Sequence, residues 1–370
     1  MQKEKDELQK QVINTIIKNG FNGFCRVPTG SGKGKIMCEI IKLLEPKSVL
    51  YCCDNKDLRD KTFKEELIKW GCEEYLPVIE MQCYQTAYKY KDKEYDLLLA
   101  DEADAATSPE YSKVFFNNTF KYKLLFSGSL ADDRRAIVKK IVPIIYEMLI
   151  HEAEEKSVLN KASISHVNYL LNPEENKKYL GYNNSFKKLL SGRTKLSDYE
   201  QMRLKQIQLA RKHFLGNLKT SVAACRKLLK ELYTKDPNMK ALIFCHSKEQ
   251  ADLVSKYSYY SGNEDLDNLN RFDEGKIQVL SVVGKIDRGV NIKGVNHIIF
   301  EAPNNSKTKL QQKSGRGRRL DKDDMLHLFF LIPYFRNMRG EITPTIIKAH
   351  VENACSDLNT EKIKNINYVN

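Results

Sequence analysis

"VPTGSGKGKI", residues 27–36, is the stretch on which the reading of this chain turns. The apolar run "FNGFCRV" precedes it and "GKIMCEIIKLLE" follows it with the spacing of an amphipathic helix, giving the strand–loop–helix order of a phosphate-binding P-loop. Gly30 and Gly32 free the backbone N–H groups to face phosphate oxygens, and Lys33 has the length to reach them. Thr29 and Ser31 complete the loop. The usual pattern ends in Gly-Lys-Thr or Gly-Lys-Ser, whose hydroxyl meets a phosphate-bound Mg²⁺. Here Gly34 follows Lys33 and has no side chain. Taken alone, the stretch fits a working site, a ruined one, or a Gly/Ser-rich turn.

The rest of the chain narrows the choice. Short apolar runs alternate with helical patterns, the order expected of βαβ units and parallel sheets. Candidate strands are 23–27, 48–52, 77–81, 96–100 and 123–127 in the first half, then 241–245, 277–282, 297–301 and 326–331. Residues 172–235 are charged, poor in β-branched residues and helical by pattern. The expected fold class is α/β, two parallel-sheet lobes, with lobe 1 over 1–150 and lobe 2 over 151–370, the helical segment included.

Two further segments carry chemistry. "YDLLLADEAD", 95–104, ends a buried strand in Asp101-Glu102, two carboxylates at the carboxyl end of a parallel sheet, where ligands gather in open α/β folds. In P-loop enzymes such an Asp holds Mg²⁺ and an adjacent Glu orients the attacking water. "QQKSGRGRRL", 311–320, places Arg316 and Arg319 where they could steady charge on a transferring phosphoryl group. Alone, such a basic stretch is as easily a nucleic-acid patch or a solvated loop.

Composition sets the bounds. The chain has 370 residues, 41% hydrophobic and 29% charged, enough for two packed cores. No apolar run approaches the ~20 residues of a membrane span. The amino-terminal "MQKEKDELQK" lacks the apolar core of a signal peptide, so a soluble, cytoplasmic or otherwise intracellular protein is expected. Nine cysteines occur with no C-x-x-C and no His at ligand spacing, which argues against a disulfide framework or zinc site and for buried thiols. Sixty-one Lys+Arg against 48 Asp+Glu leave a net charge of +13, an excess that suits a polyanionic partner.

These segments, in this order, resemble the ATPase core of helicase superfamily 2 over residues 8–335. Motif I is Pro28–Gly34, motif Ia lies in "SVLYCCDNKDLRDKTFKEEL", motif Ib in "QCYQTAY", and motif II is Asp101–Asp104. "FSGSL" stands at motif III, "ALIFCHSKEQADLV" at motif IV, "VLSVVGKIDRGVNIKGVNHIIF" at motif V, and Gln312–Arg319 at motif VI. "SPEYSKVFF" and "VPIIYEMLIHEAEEKSVLN" look more like the UvsW, XPB and restriction-translocase group than like DEAD-box RNA helicases.

The resemblance implies two RecA-like lobes with ATP·Mg²⁺ in the cleft between them, Lys33 on the β/γ-phosphates, Asp101 on the metal and Glu102 on the hydrolytic water. It assigns Ser127, Ser129 and Gln312 to coupling, Gly289 and Asn291 to the ribose side of the nucleotide, and Arg316 and Arg319 to the γ-phosphate. Gln11 is either an adenine-reading glutamine or a surface-helix residue. The implied activity is ATP-dependent helicase or translocase action on nucleic acid, DNA before RNA, by a monomeric core, with replication, recombination or repair proteins as the expected company. Two alternatives stay open: a DEAD-box-like RNA helicase, and a catalytically weak helicase-like binding protein. The departures are Gly34 for the hydroxyl residue, Gly128 for the Ala of motif III, Lys313 for an Arg and Asn291 for an Asp. A water in place of the missing hydroxyl would reconcile Gly34 with turnover, and Gly34→Ser would then leave activity similar or higher.

Overall fold

The computed structural model describes residues 2–54, 56, 58–191, 196–260, 262, 266–284, 292, 294–303, 306, 310, 313–315, 317, 324–356, 358 and 363–369. Met1–Lys161 fall in one compact unit; Ala162–Lys285, Gly294–Ser306 and Met325–Asn370 fall in a second.

In the first unit the elements run α1 (Gln2–Lys18), β1 (Asn22–Arg26), α2 (Lys33–Leu44), β2 (Val49–Cys53), α3 (Phe63–Lys69), β3 (Ile79–Cys83), α4 (Tyr84–Ala87), β4 (Glu94–Ala100), α5 (Lys113–Phe116), β5 (Thr119–Ser127), α6 (Asp132–Ile141), β6 (Ile144–Glu147) and α7 (Ile150–Glu155). The strands form a six-stranded sheet in the order β3-β2-β4-β5-β1-β6, with every pairing parallel. A parallel sheet buries both faces, and β4 shows why "LLLA" reads as a continuous apolar run. Leu97 and Leu99 face a core shared with Val12, Ile16, Met37 and Ile40, whereas Leu98 and Ala100 face one shared with Tyr84, Val114 and Val138. Each fully buried leucine contributes roughly 1.5–3 kcal/mol. Cys52 and Cys53 face opposite cores, and all nine cysteines are buried free thiols.

The second unit runs β7 (Ala162–Leu170), α8 (Pro173–Leu190), α9 (Asp198–Gly216), α10 (Lys219–Lys235), β8 (Ala241–Phe244), α11 (Lys248–Val254), β9 (Ser258–Tyr260), α12 (Leu266–Asp273), β10 (Val279–Val283), β11 (His297–Phe300), β12 (Leu326–Arg336), β13 (Ile342–Pro344), α13 (Ile346–Ala354) and β14 (Lys364–Tyr368). Its sheet has the order β14-β7-β12-β11-β8-β10-β9, parallel throughout, with β13 antiparallel to β12. The segment expected to be helical is three helices. Asn172 and Ser197 start the first two through capping boxes with Glu175 and Glu200.

The differences from the expected strands have local causes. Pro77 lies in a 3₁₀ turn, Glu73–Val78, so β3 starts two residues later than expected. β12 continues past the expected end at 331 and through Pro333, whose carbonyl accepts from the Thr345 N–H at 3.0 Å. Five strands, β6, β7, β9, β13 and β14, were not among the candidates at all.

Candidate active site

The phosphate-binding loop leaves the end of β1, where the Val27 N–H donates to the Ser127 carbonyl at 3.0 Å and ties the loop to β5. Gly30 and Gly32 both have φ of +93°, a conformation L side chains avoid. Gly32 is needed for space as well, since a Cβ there would stand 2.3 Å from Gln9 Nε2. Ser31 is fully buried between them. Lys33 opens α2, so the loop delivers its N–H groups and one ammonium to the amino end of a helix, a natural seat for anions.

β4 brings the carboxylates to that lysine. Lys33 Nζ donates to Glu102 Oε1 at 2.9 Å and lies 3.8 Å from Asp101 Oδ1. All three side chains are little exposed, at 11–13%. Asp101 is fixed on several sides. Its Oδ1 accepts from the Glu102 N–H at 2.9 Å, its Oδ2 from the Tyr51 hydroxyl at 3.4 Å, and its carbonyl from the Tyr84 hydroxyl at 2.9 Å. Glu102 has φ of +49°, a strained backbone for a non-glycine residue, costing on the order of 1–3 kcal/mol. Strain of this kind persists where the surroundings hold it, and here the Ala103 N–H pins the turn to the Phe126 carbonyl at 2.9 Å.

Electrostatics follow from burial. Burial raises the Asp101 carboxyl to about 6 against the pull of Lys33, and raises Asp104 to about 6 with help from Glu102. Burial works against charge on Lys33, but Glu102 and Asp101 outweigh it and hold the ammonium above its ordinary range. The cluster therefore sets one buried ammonium beside two aspartates, Asp101 and Asp104, whose carboxyls burial raises.

Asp104 joins the cluster to the motif III segment. The Ser127 hydroxyl donates to Asp104 Oδ1 at 2.7 Å, the Ser129 N–H donates to Ser127 Oγ at 3.3 Å, and Arg134 Nη1 donates to the Asp104 carbonyl. Gly128 has a spatial reason too. A Cβ there would meet Thr29 Oγ1 at 2.9 Å and Lys33 Nζ at 3.8 Å, so the glycine lets this segment lie against the loop.

Lys33, Asp101, Glu102, Thr29, Gly30, Ser31, Gly32, Ser127 and Ser129 thus come together in one unit. Gln11 does not join them. It lies exposed on α1, while Gln9, 5% exposed, donates through Nε2 to the Ser31 carbonyl at 3.0 Å. The signal for this was in the helix phase: Leu8, Val12 and Ile16 mark the buried face of α1, and Gln9 shares it. Tyr51, Tyr84 and Arg134 were also missed, since nothing local in their segments marks them. Gly289, Asn291, Gln312, Arg316 and Arg319 lie outside the described residues.

ATP and Mg²⁺ are tested by what the residues leave unsatisfied. Glu102 Oε2, Ser31 Oγ, Ser129 Oγ and Gln9 Oε1 are buried polar atoms without a hydrogen-bond partner among the described residues. Orphaned oxygens beside a lysine and a helix amino end suit a phosphate chain with its cation. The donor set fits.

Two parallel α/β units with this loop, this acidic turn and their motif order define a superfamily 2 helicase core, with two RecA-like lobes. Residues 2–81 match the family model described as "Type III restriction enzyme, res subunit", and 223–321 match "Helicase conserved C-terminal domain". The two models fall on separate parts of the chain, and both are helicase-type models. The chain is 24% identical over 152 residues to the ATP-dependent RNA helicase dbp2 of Sclerotinia sclerotiorum, covering 36% of this chain and 27% of that protein. The chain thus matches only about a quarter of that relative's length.

Among solved structures, the helicase domain of Hef from Pyrococcus furiosus superposes with a TM-score of 0.56 at 15% identity, over 93% of this chain and 96% of that one. Dbp5 of S. cerevisiae bound to RNA and ADP BeF3 gives 0.61 at 12%, over 97% and 88%. The ATP-dependent Type ISP restriction-modification enzyme LlaBIII bound to DNA gives 0.63 at 14%, over 97% and 31%. At such identities these likenesses speak for the fold. No helix among the described residues is long and apolar enough to cross a membrane.

Proposed function

We propose that this chain is a translocase on duplex or branched DNA, driven by ATP hydrolysis at the Lys33–Asp101–Glu102 cluster. The observation that carries the reading is the acidic turn 101–104, in which Lys33 pairs with Glu102, the Glu102 N–H donates to Asp101, and Asp104, two residues further along the backbone, accepts from the Ser127 hydroxyl. It joins the phosphate site to the segment after β5, so a change at the phosphates has a route to the rest of the lobe.

Lys33 exchanges its carboxylate partner for β/γ-phosphate oxygens when nucleotide binds, which frees Glu102 to accept a proton from, and so orient, the attacking water. Asp101, fixed by Tyr51, Tyr84 and the Glu102 N–H, is the metal ligand. When bound, Mg²⁺ would be held on the protein side by Asp101 and would supply positive charge to the phosphates. Gln9 replaces Gln11 as the glutamine that reports on the loop. The nucleotide-binding lobe in this reading is the unit that holds Lys33, and the roles expected of Gly289 and Asn291 (ribose), Arg316 and Arg319 (γ-phosphate) and Gln312 (coupling) belong to the same proposal. The net charge of +13 supplies sequence-independent phosphate contacts that weaken with salt. We place the chain among intracellular motor cores that act as monomers beside replication, recombination or repair proteins.

DNA is favoured by the restriction-enzyme family model over residues 2–81 and by the DNA-bound LlaBIII likeness. A second reading, an RNA helicase, is favoured by the dbp2 relatives and by Dbp5 bound to RNA. ATPase rates against single-stranded, duplex, forked and four-way DNA, with structured RNA alongside, separate them. Stimulation greatest with forked or four-way DNA is expected. Stimulation by RNA alone would establish the second reading, and none by any polymer would reject both.

A further inference from the structure

Gly34 has no backbone reason to be glycine, since its φ is not left-handed, but it has a spatial one. A Cβ at this position would stand 2.8 Å from both Cγ and Oε2 of Glu66 and 2.9 Å from its Cδ. The Glu66 side chain, from α3, occupies the room into which a motif I serine or threonine would project. It is held there. Trp70 Nε1 donates to Glu66 Oε2 at 2.6 Å, and the ammonium groups of Lys35 and Lys69 each stand 4.9 Å from the centre of the Trp70 ring. Glu66 Oε1 has no protein partner among the described residues.

We propose that the Glu66 carboxylate replaces the missing motif I hydroxyl as the oxygen that this side of the phosphate loop offers to nucleotide-bound Mg²⁺, directly or through one of its waters. The proposal rests on the ATP·Mg²⁺ reading of the site. A carboxylate set against the amino end of the phosphate-binding helix repels a triphosphate unless a cation stands between them, so its presence there is explained by the metal. Oxygen anions are the ligands Mg²⁺ prefers, and it takes only one or two carboxylates with phosphate oxygens and waters. Gly34 is then one half of an exchange: the side chain is given up at residue 34 so that Glu66 can supply the oxygen. The expectation that a water takes this place, and that Gly34→Ser is harmless, is replaced.

The test measures metal rather than turnover. Mn²⁺ is titrated into protein saturated with a non-hydrolysable ATP analogue, and free Mn²⁺ is followed by its EPR signal. Trp70, the one tryptophan in the chain, gives a second readout because its indole N–H bonds Glu66 directly. Glu66→Gln and Glu66→Ala should each raise the Mn²⁺ needed for half-saturation about tenfold, the usual cost of losing a metal-orienting partner. Gly34→Ser alone should raise it similarly, because the new side chain displaces Glu66. The double variant Gly34→Ser with Glu66→Ala has both a hydroxyl and the room for it, and should return close to the parent curve. That recovery also separates a metal effect from a folding defect. An unchanged Mn²⁺ curve in Glu66→Gln and Glu66→Ala would overturn the proposal, as would a tighter curve in Gly34→Ser alone. If the parent chain binds neither nucleotide nor Mn²⁺ with nucleotide, the ATP reading itself fails, which is a different result from a parent that binds and a Glu66 variant that matches it.

Discussion

Each unit ends a buried strand of its sheet in an acidic residue, Asp101 after β4 and Glu301 after β11. Their surroundings differ. Asp101 and its neighbour Glu102 share the Lys33 ammonium, and Asp101 also accepts from the Tyr51 hydroxyl and the Glu102 N–H on its carboxylate and from the Tyr84 hydroxyl on its carbonyl. Glu301, 1% exposed, has the Ser221 hydroxyl against Oε1 and the His246 backbone beside its carboxylate. Burial pushes the Glu301 carboxyl up to about 7, with only Ser221 and the His246 backbone pulling it back. A strand end in an α/β sheet is a place where chemistry can be put. Whether it is used depends on a counter-charge, and among the described residues Lys33 supplies one in the first unit only.

The largest expected effect of testing that contrast comes from Lys33→Ala. It removes both the phosphate contact and the balance for Asp101 and Glu102, and ATP hydrolysis should fall about 10²-fold or more in steady-state assays. A loss of less than fivefold would mean the lysine is only a structural counter-ion. Next is Gln9→Ala, which removes the side-chain donor to the Ser31 carbonyl and should raise the KM for ATP about tenfold, whereas the exposed Gln11→Ala should leave it within twofold. Equal effects from the two would show that contact with the loop does not decide the role.

The smallest effect on function should come from the second unit and appear in stability. Below about pH 4.5 Glu301 is protonated whether the chain is folded or not. Between there and about 7 the folded form keeps a proton that the unfolded form has lost, so stability falls as pH rises through this window. Glu301→Gln removes the titrating group. The drop in Tm between pH 5 and pH 8 should be smaller in the variant, by on the order of 5 °C. Identical drops would mean that Glu301 is charged and solvated at neutrality.

The sequence revealed the parts of the molecule whose causes are local. The loop glycines, the apolar run of β4 and the acidic turn after it are each fixed by neighbours in the chain, and each stands where it was expected. β7 escaped notice because Ser165, His166 and Asn168 interrupt its apolar pattern. These residues are buried, and Asn168 is met by Asn367 of β14 at 2.8 Å, a partner some 200 residues away. β6 is four residues long, too short for an alternating pattern to stand out. Gln9 could have been chosen over Gln11 from helix phase alone. Glu66 could not, because its approach to Gly34 exists only once α3 packs on α2.

The central claim is that the first unit's carboxylates do chemistry and the second unit's does not. Polymer-stimulated ATP hydrolysis by Glu102→Gln and Glu301→Gln, measured side by side with nucleotide binding, tests it most directly. The account predicts that Glu102→Gln still binds ATP but hydrolyses it about 10²–10³-fold more slowly, while Glu301→Gln turns over at the parent rate. Normal hydrolysis by Glu102→Gln, or a comparable loss in Glu301→Gln with its fold intact, would contradict it.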